Sequence, residues 1–400
     1  MKKLFLMSFS LLVALSSFAA KKDKKKEEKE AYQFTVVKEN PITSIKNQAS
    51  SGTCWSFSAI GFLESELIKN GKGEHDLSEM YIVRRNYADK AQKFVRLSGQ
   101  LNFAQGGAFT DVISTLDQYG LMPNAEMTGL NYGDTLHRHG EVEAVLSGYL
   151  DGVIANKNKK LSTAWYKGFT GILDAYFGEI PETFEYEGQR FNPQSFASWL
   201  GLSSKDYVSI TSFTHHPFYS KFAIEVPDNW RWAESYNVPL DEMMQIIDNA
   251  IDNGYTIAWG TDVSEIGFSR NGLGVMPDLQ SEENIGSDQA RWLGLRQTEK
   301  DDEIKRKIEQ GPVKELIVTQ EIRQMAYDNY ETTDDHGMQI YGIAKDQNGT
   351  KYYMVKNSWG ETGKYKGIWY VSETFVRYKT VNFFVNKKAI PENTVDKLKI

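Results

Sequence analysis

The sequence contains one cysteine among 400 residues, and what it lacks excludes several classes of protein. Cys54 has no second cysteine to pair with, so no intrachain disulfide can form. After the N-terminal leader, no apolar stretch approaches the roughly 18 residues that a membrane span needs. No repeat with a period of about 20 to 50 residues is visible, which argues against solenoids and propellers. The length, with 40% hydrophobic and 25% charged residues, is typical of a globular protein of about two to three domains.

The chain also lacks an excess of positive charge. Lys and Arg number 46 against 53 Asp and Glu, which gives a formal net charge of −7. Lys2, Lys3 and a surplus of two lysines at residues 21–30 account for four positive charges, so the remainder carries about −11. A body this acidic offers no basic surface for phosphate backbones. Nucleic acid is therefore excluded as a partner.

The N-terminus has the pattern of an export signal. Lys2 and Lys3 precede a mostly apolar run, Leu4–Leu15, and Ser17–Ala19 forms a small-x-small cleavage site. The apolar run is too short for a transmembrane helix. We predict a signal peptide over residues 1–19 and an exported protein, periplasmic or extracellular. A retained N-terminal anchor is the alternative.

Helical patterns dominate the first part of the mature chain and strand patterns the last. Apolar spacing and capping residues predict helices over residues 53–69, 78–97 and 109–119. Period-two alternation predicts later strands over residues 338–343, 352–355, 368–371 and 381–385. This order predicts an α+β protein of two lobes with an intervening segment. The predicted organisation is a signal peptide (1–19), a charged disordered tether (20–31), a helical lobe (32–131), a mostly helical insertion (132–277) and a β-rich lobe (278–400).

Cys54 lies in the first turn of the first predicted helix, which is apolar on nearly all sides and so should be buried. The positive end of the helix dipole favours a thiolate there by about 0.3–1 kcal/mol. A strong nucleophile needs more, and a nearby imidazolium would complete the shift in pKa. Without such a partner, a lone cysteine is usually a small buried hydrophobe.

The surroundings of Cys54 supply that partner. Residues 50–57 read S-S-G-T-C-W-S-F, and D-D-H-G (334–337) and K-N-S-W-G (356–360) follow far downstream. With these motifs the chain resembles the papain-type cysteine peptidases. Ser51 stands where secreted members have a cysteine, which fits the absence of disulfides. The resemblance implies Cys54 as nucleophile, His336 as general base, Asn357 as the group that orients the imidazole, Trp359 as its shield, Gln48 as an oxyanion-hole donor, and Gly106 and Gly107 as the backbone that pairs with substrate.

The separation of 282 residues between Cys54 and His336 exceeds the roughly 130–150 residues found in papain and cathepsins. With a large insertion between nucleophile and base, the chain resembles the bleomycin hydrolase and aminopeptidase C branch over residues 34–392. Further segments agree, such as L-S-E-M-Y (77–81) and G-G-A-F-T-D-V (106–112). The resemblance implies a papain-like two-lobe fold with a central nucleophile helix and a β-barrel-like lobe. It also implies peptide substrates, no cofactor, and a homo-oligomer, namely a hexamer.

In that branch the terminal carboxylate lies in the cleft and receives the amino group of the substrate, which makes the enzyme an aminopeptidase. The resemblance therefore implies Ile400 as the amino-group anchor. Only nine residues follow Pro391, and they span at most about 30 Å when fully extended. Two alternatives stay open: an exported endopeptidase with an open cleft, and a catalytically silent papain-like binding protein.

The remaining histidines predict no metal site. His137 and His139 are two residues apart, and His215 and His216 are adjacent. No carboxylate or cysteine nearby completes a recognisable set of ligand spacings.

Overall fold

The computed structural model describes residues 31–158, 160–279 and 295–400. The predicted signal peptide and all but the last residue of the predicted tether lie outside the described residues. Among the residues described, none of the helices combines the length and apolar character that crossing a membrane requires.

The helices predicted near the N-terminus are present, and others follow in the middle and at the end. The described part of the chain has these α-helices: α1 (Cys54–Lys69), α2 (Glu79–Arg96), α3 (Phe109–Tyr119), α4 (Gly140–Ile154), α5 (Ala164–Phe177), α6 (Pro193–Leu200), α7 (Leu240–Asp252), α8 (Gln297–Gln310), α9 (Gln320–Asp328), α10 (Glu373–Lys379) and α11 (Glu392–Leu398). Helix α1 is buried on nearly every side. Thr53 precedes it but does not cap it, because its hydroxyl bonds to the Ser51 hydroxyl at 2.6 Å.

The strands form one large sheet and one short hairpin. They are β1 (Thr35–Glu39), β2 (Phe184–Tyr186), β3 (Gln189–Phe191), β4 (Tyr207–Thr211), β5 (Lys221–Ala223), β6 (Glu234–Asn237), β7 (Ile257–Thr261), β8 (Phe268–Ser269), β9 (Leu273–Gly274), β10 (His336–Lys345), β11 (Lys351–Lys356), β12 (Ile368–Ser372) and β13 (Thr380–Asn386). The large sheet has the order β5-β6-β4-β13-β7-β10-β11-β12-β9-β8, with β1 paired to β10. Its end strands β5 and β8 do not pair in the described structure. The fold is thus α+β, as predicted, but the expected barrel-like lobe is an open sheet.

Two apolar cores hold this architecture together. One core joins α1 to the other early helices, α2 to α6, and includes Phe62, Leu63 and Leu67 of α1. The second lies between the sheet and helices α7, α9, α10 and α11. Burial of apolar surface is the main force that holds such layers together. The boundary between the two cores runs past the start of α1, where Cys54 lies.

The segment predicted as an insertion, residues 132–277, is divided between the two cores. Helices α4 to α6 join the helical core, whereas β7 lies at the centre of the large sheet between β10 and β13. Every residue of β7 is buried. A strand covered on both faces has no alternation of apolar and polar residues, so its sequence does not show a period of two.

Candidate active site

A cleft of roughly 200 Å³ opens where helix α1 begins. Its helical side carries Cys54 and the segment 106–110, and its sheet side carries residues 334–337 at the start of β10. The loop of the β5–β6 hairpin, residues 224–233, also lines it, and we call this segment the crossing loop. Cys54 is half-buried and lines this cleft.

His336 is the first residue of β10 and is held by two groups from the loop after β11. Its Nε2 lies 2.9 Å from Asn357 Oδ1, and both side chains are buried. The Trp359 ring stacks on the imidazole with a centroid distance of 4.7 Å. These contacts leave Nδ1 as the ring nitrogen that is not bound to Asn357, which is the orientation a cysteine–histidine pair requires. The structure thus brings together three of the predicted site residues.

Gly337 allows β10 to come close to the first turn of α1. A side chain at this position would lie 2.8 Å from Ser58 Oγ and 3.4 Å from the carbonyl carbon of Cys54. Both distances are at or below ordinary contact, so a larger residue would push the strand away from the helix. The absence of a Cβ here sets the distance between the histidine strand and the cysteine helix.

Burial opposes a charge on either member of the pair. Burial raises the pKa of the Cys54 thiol to about 12, although the backbone N–H groups of Gly337 and Trp55 act in the opposite direction. Burial also lowers the pKa of His336 to about 4, against the effect of its bond to Asn357. Each charge alone is disfavoured. A thiolate at Cys54 would therefore need a positive charge beside it, and an imidazolium at His336 would need a negative one.

Gln48 is brought next to the Asn357–Trp359 segment by backbone pairing. Its N–H donates to the Ser358 carbonyl at 2.8 Å, and Asn47 forms a bridge with Trp359. The Gln48 side chain is buried, its Nε2 donates to Ser51 O at 2.6 Å, and its Oε1 accepts from Ser358 Oγ at 2.5 Å. An amide nitrogen carries two hydrogens. One therefore fixes the side chain, although Gln48 is not among the residues that line the described cleft.

Gly106 and Gly107 line the cleft, and Gly106 is in close contact with the crossing loop. A side chain on Gly106 would collide with the Asp228 carboxylate of the crossing loop. The Gly106 carbonyl also accepts a bond from Lys90 Nζ at 2.5 Å. Asp228 and Lys90 thus both contact the Gly106 backbone, where the resemblance implied pairing with substrate.

The chain is similar in structure and in sequence to several named proteins. The crystal structure of PepW from Lactobacillus rhamnosis HN001 superposes with a TM-score of 0.68 at 18% identity, over 91% of this chain and 84% of that one. Aminopeptidase C of Listeria monocytogenes serovar 1/2a is 22% identical over 395 residues, or 88% of this chain and 82% of that protein. Aminopeptidase C of Lactobacillus helveticus is 22% identical over 418 residues, or 90% and 84%.

Two family models match the ends of the chain. "Papain family cysteine protease" matches residues 31–127, and "Peptidase C1-like family" matches residues 318–400. The first range holds the nucleophile of the candidate site and the second holds His336 and Asn357. The chain is a papain-like cysteine peptidase.

The structure does not bring Ile400 of the peptidase to the cleft. The residues after Pro391 form helix α11, and Ile400 packs against the sheet-side core. On this helix Lys397 binds Glu242 of α7 at 2.6 Å. A helix advances only about 1.5 Å per residue, so the tail loses the length that an extended chain would have had. Ile400 is absent from the residues that line the described cleft.

The histidines outside the cleft show one grouping that the sequence spacing missed. His215 Nε2 and His216 Nε2 each lie 3.2 Å from a different oxygen of Glu225, so the three residues form a set that could ligate a metal ion. Glu225 is too distant along the chain to complete a familiar ligand spacing. His137 and His139 are packed edge to face, and burial lowers the pKa of His139 to about 4.

Sequence reasoning also missed the crossing loop of the peptidase. Its Trp230 Nε1 and Arg231 Nε donate to the two oxygens of Asp111, at 2.8 and 2.7 Å. The available signal was the D-N-W-R-W run at residues 228–232, which combines an acid, an arginine and two tryptophans. That composition did not reveal which surface the run would contact.

Proposed function

We propose that the peptidase is an aminopeptidase, which removes residues from the free N-termini of peptides through a Cys54–His336–Asn357 thiol mechanism. The supporting observation is that the crossing loop lines the cleft next to Cys54. The crossing loop passes from the sheet to the helical lobe and occupies the space over Gly106. We infer that the substrate extends from the cleft on the side away from this loop.

The wall of the cleft is firmly attached on the helical side. Arg231 forms ion pairs with Asp111 and Asp89, both at 2.7 Å. Asp111 is buried and also accepts the Ala108 N–H at the start of α3. Arginine that is paired at two carboxylates is fixed in position more strongly than a solvated side chain. The loop is therefore a fixed part of the binding site.

The side chains of the site account for each step of peptide hydrolysis. The Cys54 sulfur attacks the carbonyl carbon as its proton passes to His336, and the oxygen that becomes negative binds the Cys54 N–H and Gln48 Nε2. His336 then protonates the departing amine, which leaves a thioester on Cys54. Water, deprotonated by His336, attacks that thioester and releases the acid. Asn357 and Trp359 hold the imidazole throughout.

The names of the relatives agree with this proposal. Those at 22% identity over most of the chain are called Aminopeptidase C. An endopeptidase would need an open groove on both sides of the nucleophile, which the crossing loop does not leave. A silent binding protein would not need the nucleophile, base and oxyanion donor to be kept together.

We expect the peptidase to prefer a free N-terminus over an acetylated one in peptides of the same sequence. An added acetyl group needs the space that the crossing loop fills, and crowding of this kind costs about 1–3 kcal/mol. The value of kcat/KM should fall by about 10–100-fold. Mass spectrometry of the products should show residues lost one at a time from the N-terminus. Cleavage inside the acetylated peptide, at a rate that matches the free one, would contradict the assignment.

Export is a further part of the proposal, and its support is the leader at residues 1–19. Mass spectrometry of protein from its native host should find a mature chain that begins at or near Ala20. A chain that retains Met1 would instead indicate an N-terminal anchor. The homo-oligomer implied by the resemblance also stays a prediction.

A further inference from the structure

We propose that Asp228 is the residue that receives the α-ammonium group of the substrate. This inference rests on the proposed aminopeptidase function and deepens it, because it identifies what recognises the free N-terminus. In this chain the anchor would come from the crossing loop, in the middle of the sequence, and not from the terminal carboxylate of Ile400.

The position of Asp228 is the first argument. Its carboxylate lies against the Cα of Gly106, so closely that no side chain fits there, and it lines the same cleft as Cys54 and His336. A substrate residue whose carbonyl is attacked by Cys54 has its own nitrogen on the side of the cleft that the crossing loop closes. The carboxylate therefore stands at the end of the space where a free amino group arrives.

The bonding of Asp228 is the second argument. Its one recorded hydrogen bond within the described structure is a long one, 3.3 Å from Asn102 Nδ2. The nearby cation Lys90 donates to the carbonyls of Ala104 and Gly106, at 3.0 and 2.5 Å, and does not reach ion-pair distance of Asp228. The half-buried carboxylate thus keeps most of its capacity to accept hydrogen bonds, and an ammonium group has three to donate.

A second carboxyl group lies at the same end of the cleft. Asp334 also lines the cleft, and no described residue forms a hydrogen bond or ion pair with it. Burial and the charge of Asp228 raise the pKa of Asp334 to about 7. Burial likewise raises the pKa of Asp228, against the influence of Lys90. A bound ammonium would offset the repulsion between the two carboxylates, which a neutral acetylated end cannot do.

The crossing loop holds Asp228 in place through the residue that follows it. Asn229 is buried, and its Nδ2 donates to the carbonyls of Ile224 and Ala233 while its Oδ1 accepts from the Ala233 N–H. These bonds tie together the two ends of the loop. With Arg231 bound to Asp111, the backbone on both sides of Asp228 is fixed, as a recognition group requires.

The experiment compares three variants on one matched pair of substrates, an amino acid amide with a free α-amino group and the same compound N-acetylated. Asp228→Asn keeps the shape of the wall but removes the charge. The loss of a hydrogen-bonded charge pair should raise KM for the free amine about 10–100-fold. The acetylated substrate should change little. Asp228→Glu keeps the charge and should retain most of the preference for the free amine.

Two controls separate the causes of failure. Asp151→Asn removes one exposed carboxylate from α4, away from the cleft, and should leave KM unchanged. Cys54 should still be alkylated in every variant, which shows that the site is folded; in Asp228→Asn the rate should rise, because the charge of Asp228 raises the pKa of the Cys54 thiol. If the unmodified enzyme has no preference for the free amine, the proposed function fails. If that preference exists but survives undiminished in Asp228→Asn, or is lost equally in Asp228→Glu, the assignment of Asp228 is overturned.

Discussion

His336→Ala is expected to slow peptide hydrolysis by about 10²–10⁴-fold, the usual contribution of a general acid–base group. It should also slow the alkylation of Cys54 by iodoacetamide at pH 6. Burial raises the pKa of the isolated thiol to about 12, so without an imidazolium beside it the sulfur stays protonated. In the unmodified enzyme we expect an imidazolium at His336 to lower the thiol pKa, so that the reactive thiolate is present at a lower pH. The variant should reach comparable labelling only in the alkaline range.

The measurement is the pH profile of the labelling rate with limiting reagent. Cys54→Ala gives the blank, because the chain has no other cysteine. His75→Ala is the matched control, since His75 is also buried but bonds to Tyr186 and does not line the cleft. Equal labelling rates at pH 6 for the unmodified enzyme and His336→Ala would reject the ion pair between thiolate and imidazolium.

Gln48→Ala is expected to lower kcat by about 10²–10³-fold with little change in KM. The amide is needed when negative charge develops on the carbonyl oxygen, and the ground-state substrate makes less use of it. Alkylation of Cys54 develops no such oxyanion, so its rate should stay close to that of the unmodified enzyme.

A structural role of Gln48 has to be separated from a catalytic one, since the side chain also bonds to Ser51 O and Ser358 Oγ. Ser358→Ala removes the second of these bonds and leaves the donor in place. It should lower kcat much less than Gln48→Ala does. A Gln48→Ala enzyme with normal kcat, or one whose alkylation slows as much as its hydrolysis, would remove Gln48 from the oxyanion hole.

Local sequence patterns predicted much of this fold because they reflect local physics. Helix α2 follows from Ser78, whose side chain accepts the Tyr81 N–H, and from apolar spacing along its length. The strand of His336 is longer than predicted, since residues 336–345 are buried throughout except the last. Strand β7 was not predicted for the same reason: burial of both faces removes the alternation of apolar and polar residues.

The sequence predicted the residues of the candidate site that belong to short motifs. It did not predict those that only tertiary contacts bring to the cleft. Cys54, His336 and Asn357 lie in short motifs that can be recognised directly in the sequence. The position of Asp228 depends on how a hairpin loop crosses to the other lobe. The position of Ile400 depends on whether the residues before it form a helix, as Glu392–Leu398 do. Both outcomes are decided by long-range packing, such as the bond between Lys397 and Glu242. No local pattern encodes them.

Asp111 performs two tasks, and they link substrate selection to the integrity of the fold. The same buried carboxylate holds the first turn of α3 through Ala108 and holds the crossing loop through Trp230 and Arg231. A mutation that detached the loop at this point would also leave a helix start without its partner and a guanidinium without its charge. Weakening the bonds between Asp111 and the crossing loop is therefore not a route to broader specificity, because the protein would lose stability first. Change in substrate range is confined to the side chains that the loop presents to the cleft.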